Sequence, residues 1–347
     1  MIVAIAVVLI GTLPTLWSLQ RLHQRWRFWR GEQLEQRRLQ LRIVRLTRQQ
    51  GHLLLTLSAA DGSELPPVRP GQHLQLFYQD ADGRPVSRAY SLAQDCQQSR
   101  YYRLAIKAEQ NGRLSRQIFQ QAQRGDILTT SLPTGHFQLQ RSTAPLVLIA
   151  AGVGITPMLA MLYQALRLRR PVTLIYQART SSSLLYHRLL SRLPGLRYIP
   201  LLSQPDPHWC GESGRLSAER LMRWCDASAD YYCCANATMT AKLQQDLLPF
   251  GVHLRYELFS AAASNQNVVV EYGDISANCA GFSSVLDALN HAGACIPSDC
   301  RGGSCGLCKK RLVRGEVIQM LDPAAAIAPD EILTCCVQAK TTLLLAD

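Results

Sequence analysis

Cys300, Cys305 and Cys308 stand as C-x4-C-x2-C within Cys300-Arg-Gly-Gly-Ser-Cys305-Gly-Leu-Cys308, and Cys335-Cys336 follow near the C-terminus. Three thiols at this spacing with a fourth further on form the ligand pattern of a [2Fe–2S] cluster. A two-iron rhomb needs four thiolates close together, so the chain must wrap it tightly. Gly302, Gly303 and Gly306 can take positive φ without a Cβ penalty, and their bare N–H groups can hydrogen-bond sulfur. Zinc is the competing metal, since four cysteines bind it as well. Zinc sites, however, usually pair their cysteines as two C-x2-C knuckles. Cys335 and Cys336 compete for the fourth place, because neighbours on an extended segment point to opposite sides and one of them faces the iron.

Arg88-Ala89-Tyr90-Ser91 suits a different chemistry. On a strand Arg88 and Tyr90 share a face, so a guanidinium can clamp phosphate while a phenol ring lies against a flat cofactor. Gly112-Arg113-Leu114-Ser115 opens an amphipathic helical stretch through Ile118 and Phe119, whose free N–H groups can receive a phosphate. Both motifs lie in residues 41–140, where 51–57, 73–78 and 102–107 are short β-rich runs separated by turns. That pattern predicts a small antiparallel β-barrel.

Residues 141–262 alternate strand and helix. The apolar run 146–151 leads into Gly152-Val153-Gly154-Ile155-Thr156-Pro157 and then a helix carrying Met158, Leu159, Met161, Leu162 and Leu166. Pro157 suits a first helical turn. A strand, a glycine turn and a helix N-terminus make the pyrophosphate cradle of a doubly wound parallel sheet, with Gly152, Gly154 and Thr156 in the turn. The next strand, 172–177, ends in Ala178-Arg179-Thr180-Ser181. A carboxylate near this point serves a ribose hydroxyl, whereas arginine accepts a 2′-phosphate. Arg179, with Thr180 beside it and no acidic residue nearby in the sequence, points to NADPH, with NADH the alternative. A later strand ends in Cys233-Cys234-Ala235-Asn236, where two buried structural cysteines are the plain reading. Glu257, in Tyr256-Glu257-Leu258-Phe259, reads equally well as a surface charge.

Residues 265–347 as a whole resemble the plant-type ferredoxin family, an α+β β-grasp fold. The serine-capped run 283–293 leads into Ile296-Pro297 just before the cysteine loop, as in that family. The resemblance implies Cys300, Cys305, Cys308 and Cys335 as ligands and leaves Cys295 a spectator. Upstream, Pro70-Gly71-Gln72, Arg88-Ala89-Tyr90-Ser91, Gly112-Arg113-Leu114-Ser115 and Pro133-Thr134-Gly135-His136-Phe137, in this order, resemble the ferredoxin–NADP reductase superfamily. What this implies is Arg88 on the flavin phosphate, Tyr90 stacked on the isoalloxazine, Ser91 near its N5, and Gly112, Leu114 and Ser115 at the pyrophosphate of FAD. FMN is the alternative, because some relatives with the same R-x-Y-S-L text use the shorter flavin. By position Cys234 takes the place of a cysteine beside the nicotinamide ring, although Ala235 and Asn236 replace the usual glycine and proline. The order flavin, nicotinamide, ferredoxin matches reductase components of bacterial oxygenases and desaturases. Electron counting supports that order, since a nicotinamide gives up two electrons as hydride, a [2Fe–2S] cluster accepts one, and a flavin is competent at both steps.

At 347 residues the chain suits two or three domains. Of its 12 cysteines, five crowd around the C-terminal motif, which fits thiolate ligation in a reduced compartment better than a disulfide scaffold. The net charge of +12 is uneven, with nine arginines against Glu32 and Glu35 between Arg21 and Arg48. No nucleic-acid motif accompanies it. Residues 1–20 carry no charge and are long enough, at about 1.5 Å per residue, to cross roughly 30 Å of hydrocarbon. Trp17, Trp26, Phe28 and Trp29 lie among Arg21, Arg25, Arg27 and Arg30, an interfacial flank that places the downstream chain in the cytoplasm. The expectation is therefore an N-terminal transmembrane helix (1–20) and a basic linker (21–40), with a cleaved signal peptide as the competing reading. A membrane-anchored reductase would favour an acceptor in the same bilayer, such as a di-iron desaturase, hydroxylase or other oxygenase. Arg301, Lys309, Lys310, Arg311 and Arg314 would give the cluster a basic rim. Two other classes stay open, a flavin or ferric reductase with an accessory cluster and a non-enzymatic membrane protein with a zinc module.

Overall fold

Leu53, Leu55 and Leu57 are buried on one face of β2 (His52–Ala59). This two-residue period is what a strand with one face on a core requires. β1 (Leu39–Gln49) joins β2 through Gln50 and Gly51, both at positive φ. Such a two-residue turn matches the right-handed twist of the strands it connects. The computed structural model describes residues 38–79, 85–97, 100–108, 113–135, 137–258, 264, 266–298, 303, 306–320 and 325–347. With β3 (His73–Gln79), β4 (Pro85–Ser91), β5 (Tyr102–Lys107) and β6 (Ile127–Thr130), the first sheet runs β4-β3-β6-β1-β2-β5. Beyond β4 the chain is tied to β5 by Ala93 N, which donates to Arg103 O at 2.9 Å, so the sheet curls toward closure. One helix, α1 (Arg113–Gln121), belongs to this part.

The second sheet contains β7 (Leu146–Ala151), β8 (Val172–Ala178), β9 (Leu196–Leu202), β10 (Glu212–Ser213), β11 (Asp230–Ala235) and β12 (Leu254–Leu258), in the order β10-β9-β8-β7-β11-β12. Every pairing in it is parallel. Its helices are α2 (Ile155–Arg167), the single turn α3 (His187–Leu190), α4 (Ala218–Trp224) and α5 (Ala237–Leu247). Residues of β7 alternate between two cores, Leu146, Leu148 and Ala150 in one and Val147 and Ile149 in the other. A parallel sheet covered on both faces explains why this strand reads as an unbroken apolar run. The strand order reverses between β7 and β11, which opens a crevice at their carboxyl ends.

The third sheet is mixed. β13 (Val269–Tyr272), β14 (Ile275–Asn278), β15 (Lys309–Arg314), β17 (Glu331–Leu333) and β19 (Leu343–Ala346) run β14-β13-β19-β15-β17, with β13 and β19 parallel. A small ladder pairs β16 (Val317–Gln319) with β18 (Val337–Ala339). α6 (Val285–His291) starts on Ser284, whose hydroxyl accepts from Asp287 N at 3.2 Å, and buries Val285, Leu286, Ala288 and Leu289. The expected multi-domain plan of antiparallel barrel, doubly wound sheet and α+β unit is thus present. No helix among the described residues is long and apolar enough to cross a membrane. The span expected over residues 1–20 and most of the linker lie outside the described residues.

Candidate functional site

Three glycine-dependent contacts shape the first two parts of the site. A Cβ on Gly71 would collide with the carbonyl of Phe137, so Pro70-Gly71-Gln72 lies flat against the segment that closes the barrel. A Cβ on Gly154 would strike the Cys234 carbonyl, so the turn after β7 sits directly on the end of β11. Gly152, at φ +54, faces open space, and its carbonyl accepts from the Tyr176 hydroxyl at 2.9 Å. That hydroxyl also accepts from Leu185 N at 3.1 Å, so Tyr176, fully buried on β8, fixes the turn from below. Nothing in the local sequence marks Tyr176 as a support for this turn. Thr156, buried in the first turn of α2, donates its hydroxyl to Val153 O at 2.9 Å. Gly152, Gly154 and Thr156 thus come together at a helix N-terminus beside the crevice, where phosphate oxygens find N–H groups.

Cys233 and Cys234 point to opposite faces. Cys233 packs among Val147, Ile149 and Leu243, with Thr240 Oγ1 at 3.9 Å from its sulfur. Cys234 joins the core that also contains Ala93 and Ala105 of the barrel, with Phe137 packed against it. Both cysteines are thus fully buried, Cys233 in one core and Cys234 in the other, the one to which the barrel contributes. Burial, followed by the nearby Glu257 carboxyl, pushes the Cys234 thiol far up, so it stays neutral. Asn236 departs from proline for a local reason, because its side chain caps α5 by accepting from Met239 N at 2.9 Å. Glu257 is half-buried rather than freely exposed. It is paired in register with Cys234, its Oε2 is buried with no hydrogen-bond partner among the described residues, and burial raises it to about 8.

On the barrel, Arg88 and Tyr90 alternate with Ala89 and are half-buried, opposite Leu76 and Leu74 of β3. Ser91 is buried at the end of β4. The Arg88 guanidinium donates to Ser87 O at 2.8 Å. Leu114 and Ser115 are buried at the start of α1, and Gly112 lies outside the described residues. β5 packs against the Gly152–Gly154 turn, which brings the barrel to the crevice. A half-buried arginine and aromatic on one strand face, with a buried hydroxyl beyond them, fit a flavin.

In the third part, Cys308 and Cys335 are buried, and their thiols are in hydrogen-bond contact. That contact lowers the Cys335 thiol, but Cys336 and burial outweigh it and raise the group to about 12. The Gly303 N–H is directed at the same sulfur. Cys336, 3.6 Å from Cys335 sulfur to sulfur, is fully buried in the apolar core. Thr334 ties the two cysteine segments together, since its N–H and hydroxyl donate to Cys308 O at 3.2 and 2.9 Å while its own carbonyl accepts from Leu286 N at 2.9 Å. Two facing thiols with a backbone N–H on sulfur fit a cluster. Cys300, Arg301 and Cys305 lie outside the described residues. Among these residues the expected basic rim shrinks. Strand alternation turns Lys310 inward onto Tyr272 and Asp347, Lys309 pairs with Glu331 at 3.0 Å, and Arg311 and Arg314 stay exposed.

Around the turn after β8, Arg179 is exposed, and the Thr180 hydroxyl lies 3.0 and 3.1 Å from those of Ser182 and Ser183. The fold brings an acidic group here that the sequence neighbourhood lacks. Asp206 Oδ2 accepts from Ser181 N at 3.1 Å.

Comparison with known proteins matches three family models in sequence, an oxidoreductase FAD-binding domain over residues 53–139, an oxidoreductase NAD-binding domain over 148–245 and a 2Fe-2S iron-sulfur cluster binding domain over 270–340. A flavohemoprotein of Pseudomonas putida is 32% identical over 68% of this chain, and the chain spans 61% of that relative. The heme-dependent oxidative N-demethylase beta subunit of Ectopseudomonas mendocina is 34% identical over 74% of this chain and 81% of its own length. The phenoxybenzoate dioxygenase subunit beta of Ectopseudomonas oleovorans is 29% identical over 85% of this chain and 92% of its own. Phthalate dioxygenase reductase, described as a modular structure for electron transfer from pyridine nucleotides to [2Fe-2S], superposes with a TM-score of 0.66 at 26% identity, covering 90% of this chain and 99% of that one. With the barrel, the doubly wound sheet and the cysteine loop in this order, the chain belongs to the ferredoxin-reductase-type oxidoreductases that join FAD-binding, NAD-binding and 2Fe-2S domains.

Proposed function

We propose that the chain is the reductase of an oxygenase system, taking hydride from a reduced nicotinamide dinucleotide and delivering single electrons to an oxygenase partner. The observation that carries this reading is the shared core of Cys234 and Ala93, which joins the end of β11 to the segment just beyond Ser91. A flavin bound there supplies the conversion between a hydride pair and the single electrons a [2Fe–2S] cluster handles. The residues of the chain contribute position. Arg88 holds phosphate, Tyr90 lies along the ring, and Ser91 offers a hydroxyl from a buried site. The Gly152–Thr156 turn holds the dinucleotide diphosphate, and Cys234 presents a neutral thiol where the nicotinamide ring would lie. Cys300, Cys305, Cys308 and Cys335 bind the cluster. The relatives named as oxygenase subunits support the partner class.

The charge-free apolar residues 1–20 and their aromatic and basic flank further support a single-pass anchor with the catalytic parts in the cytoplasm, and hence an oxygenase, hydroxylase or desaturase acceptor in the same bilayer. In the test, purified flavin- and iron-loaded protein is mixed anaerobically with reduced nicotinamide. Loss of the flavin absorbance together with reduction of a one-electron acceptor is expected. Cys308→Ser should keep the first and lose the second. If it left both rates equal, the cluster would be an accessory and the reading would fail. Salt-washed membrane fractions should retain the full chain and release a form lacking residues 1–37. Equal release of both would remove the anchor.

A further inference from the structure

Because the strands of the second sheet run parallel, the segments that lead into them all lie at one end of it, opposite the crevice. Four of these segments, 141–145, 167–171, 191–195 and 247–253, hold five arginines and no aspartate or glutamate. Arg141, Arg169 and Arg192 are exposed. Most carboxylates that come near are answered within the chain. Asp230, at the head of β11, is bound by Arg170 and Arg255, Asp95 pairs with Arg167 and Asp246 with Lys242, which leaves Asp226 in the fifth segment.

Large apolar side chains stand among these charges. Leu168 is 65% exposed, Leu248 67% and Phe250 43%. Each sits on a short hydrogen-bonded turn. Leu168 N donates to Gln164 O and Arg169 N to Leu166 O, both at 3.0 Å, with Arg169 at φ +54. That left-handed place after a helix usually takes glycine. Pro249 and Gly251, the latter at φ +68, shape the turn that carries Leu248 and Phe250. Arginines beyond a helix C-terminus also answer its macrodipole. That accounts for none of the exposed apolar tips, nor for Arg141, which follows a strand and not a helix.

We propose that this end of the second sheet is a docking face for an anionic lipid bilayer, with the arginines on lipid phosphate and Leu168, Leu248 and Phe250 entering the headgroup boundary. A guanidinium binds phosphate through paired N–H bonds. Apolar tips set among cations are what an interfacial site presents to lipid. β8 and β12 are three strand spacings apart, so the tips before them are spread over about 14 Å, as a flat partner requires. Seating at this end leaves the carboxyl ends of the strands open to nucleotide. The inference does not use the span proposed for residues 1–20.

The test is hydrogen exchange, read by mass spectrometry, on the full flavin- and cluster-loaded chain mixed with vesicles of phosphatidylcholine alone or with phosphatidylglycerol added. Exchange in 167–171, 191–195 and 247–253 should slow at least about fivefold on the anionic vesicles and return at about 1 M salt, where charges are screened beyond about 3 Å. The loop 203–211 at the opposite end should not change. Arg169→Asn, which tolerates the left-handed backbone, combined with Arg192→Gln should lose the protection and keep the flavin spectrum. Leu248→Ser should weaken it. Equal exchange on both kinds of vesicle would overturn the proposal, as would protection at 203–211 instead. Equal protection by soluble polyglutamate would assign the face to an acidic protein and likewise overturn it. Retention of the chain in salt-washed membranes with no change in these segments would leave the anchor standing and refute the docking face.

Discussion

Cys234 and Glu257 stand opposite one another in the β11–β12 ladder, and between them they bury a thiol and a carboxyl beside the crevice. Burial moves Glu257 from an ordinary 4.5 to about 8, so the folded protein keeps a proton that the unfolded chain releases. Stability must then fall as pH rises from about 4.5 to about 8, at up to about 1.4 kcal/mol per pH unit. Denaturant unfolding of the loaded protein at pH 5 and pH 7.5 should show this slope, and Glu257→Gln should flatten it. An identical slope in both proteins would mean that the carboxyl is ionised and solvated.

Gly154→Ala places a methyl group on the Cys234 carbonyl, a backbone atom that cannot swing aside. Overpacking of this kind costs about 1–3 kcal/mol. Because the strain falls between the turn and β11, flavin content should stay near the wild type while the rate of flavin reduction by nicotinamide drops at least about tenfold. Stopped-flow absorbance checks both. A variant that reduces its flavin normally would show that the turn can shift at no loss.

Cys335 meets Cys308 and the Gly303 N–H, whereas Cys336 sits in the apolar core. Cys335→Ser should therefore abolish bound iron and its visible absorbance. Cys336→Ala, which leaves a cavity of about one sulfur atom, should retain the iron at a stability loss of about 1 kcal/mol. Iron analysis of both variants decides the matter, and the reverse pattern would exchange their roles.

Thr334 is wholly buried and its hydroxyl donates to the Cys308 carbonyl. Thr334→Val keeps the shape and removes the donor, so it should destabilise the third sheet by about 1–2 kcal/mol. It should also speed loss of iron to a chelator. Thr334→Ser, which restores the hydroxyl, should recover the slow release. Equal release rates in all three proteins would reduce Thr334 to a packing residue.

Much of this architecture is legible in the chain because its signals are local. The unbroken apolar run of β7, the alternating leucines of β2 and the Ser284 cap of α6 each follow from neighbours within a few residues, and the cysteine spacing is a covalent constraint on one loop. Relations across the sheets are a different matter. That Cys233 and Cys234 serve separate cores, that a carboxyl oxygen of Glu257 is enclosed, that Lys310 turns inward and that Tyr176 holds the Gly152 carbonyl all depend on strand order and register. Asp206 is the clearest case, since it meets Ser181 only because β8 and β9 lie side by side and end together. Sequence determines which groups the chain owns and how each short segment bends. Which of them share a water-excluded space, and which charge stands beside which donor, is decided only when parallel strands far apart in the chain are laid edge to edge.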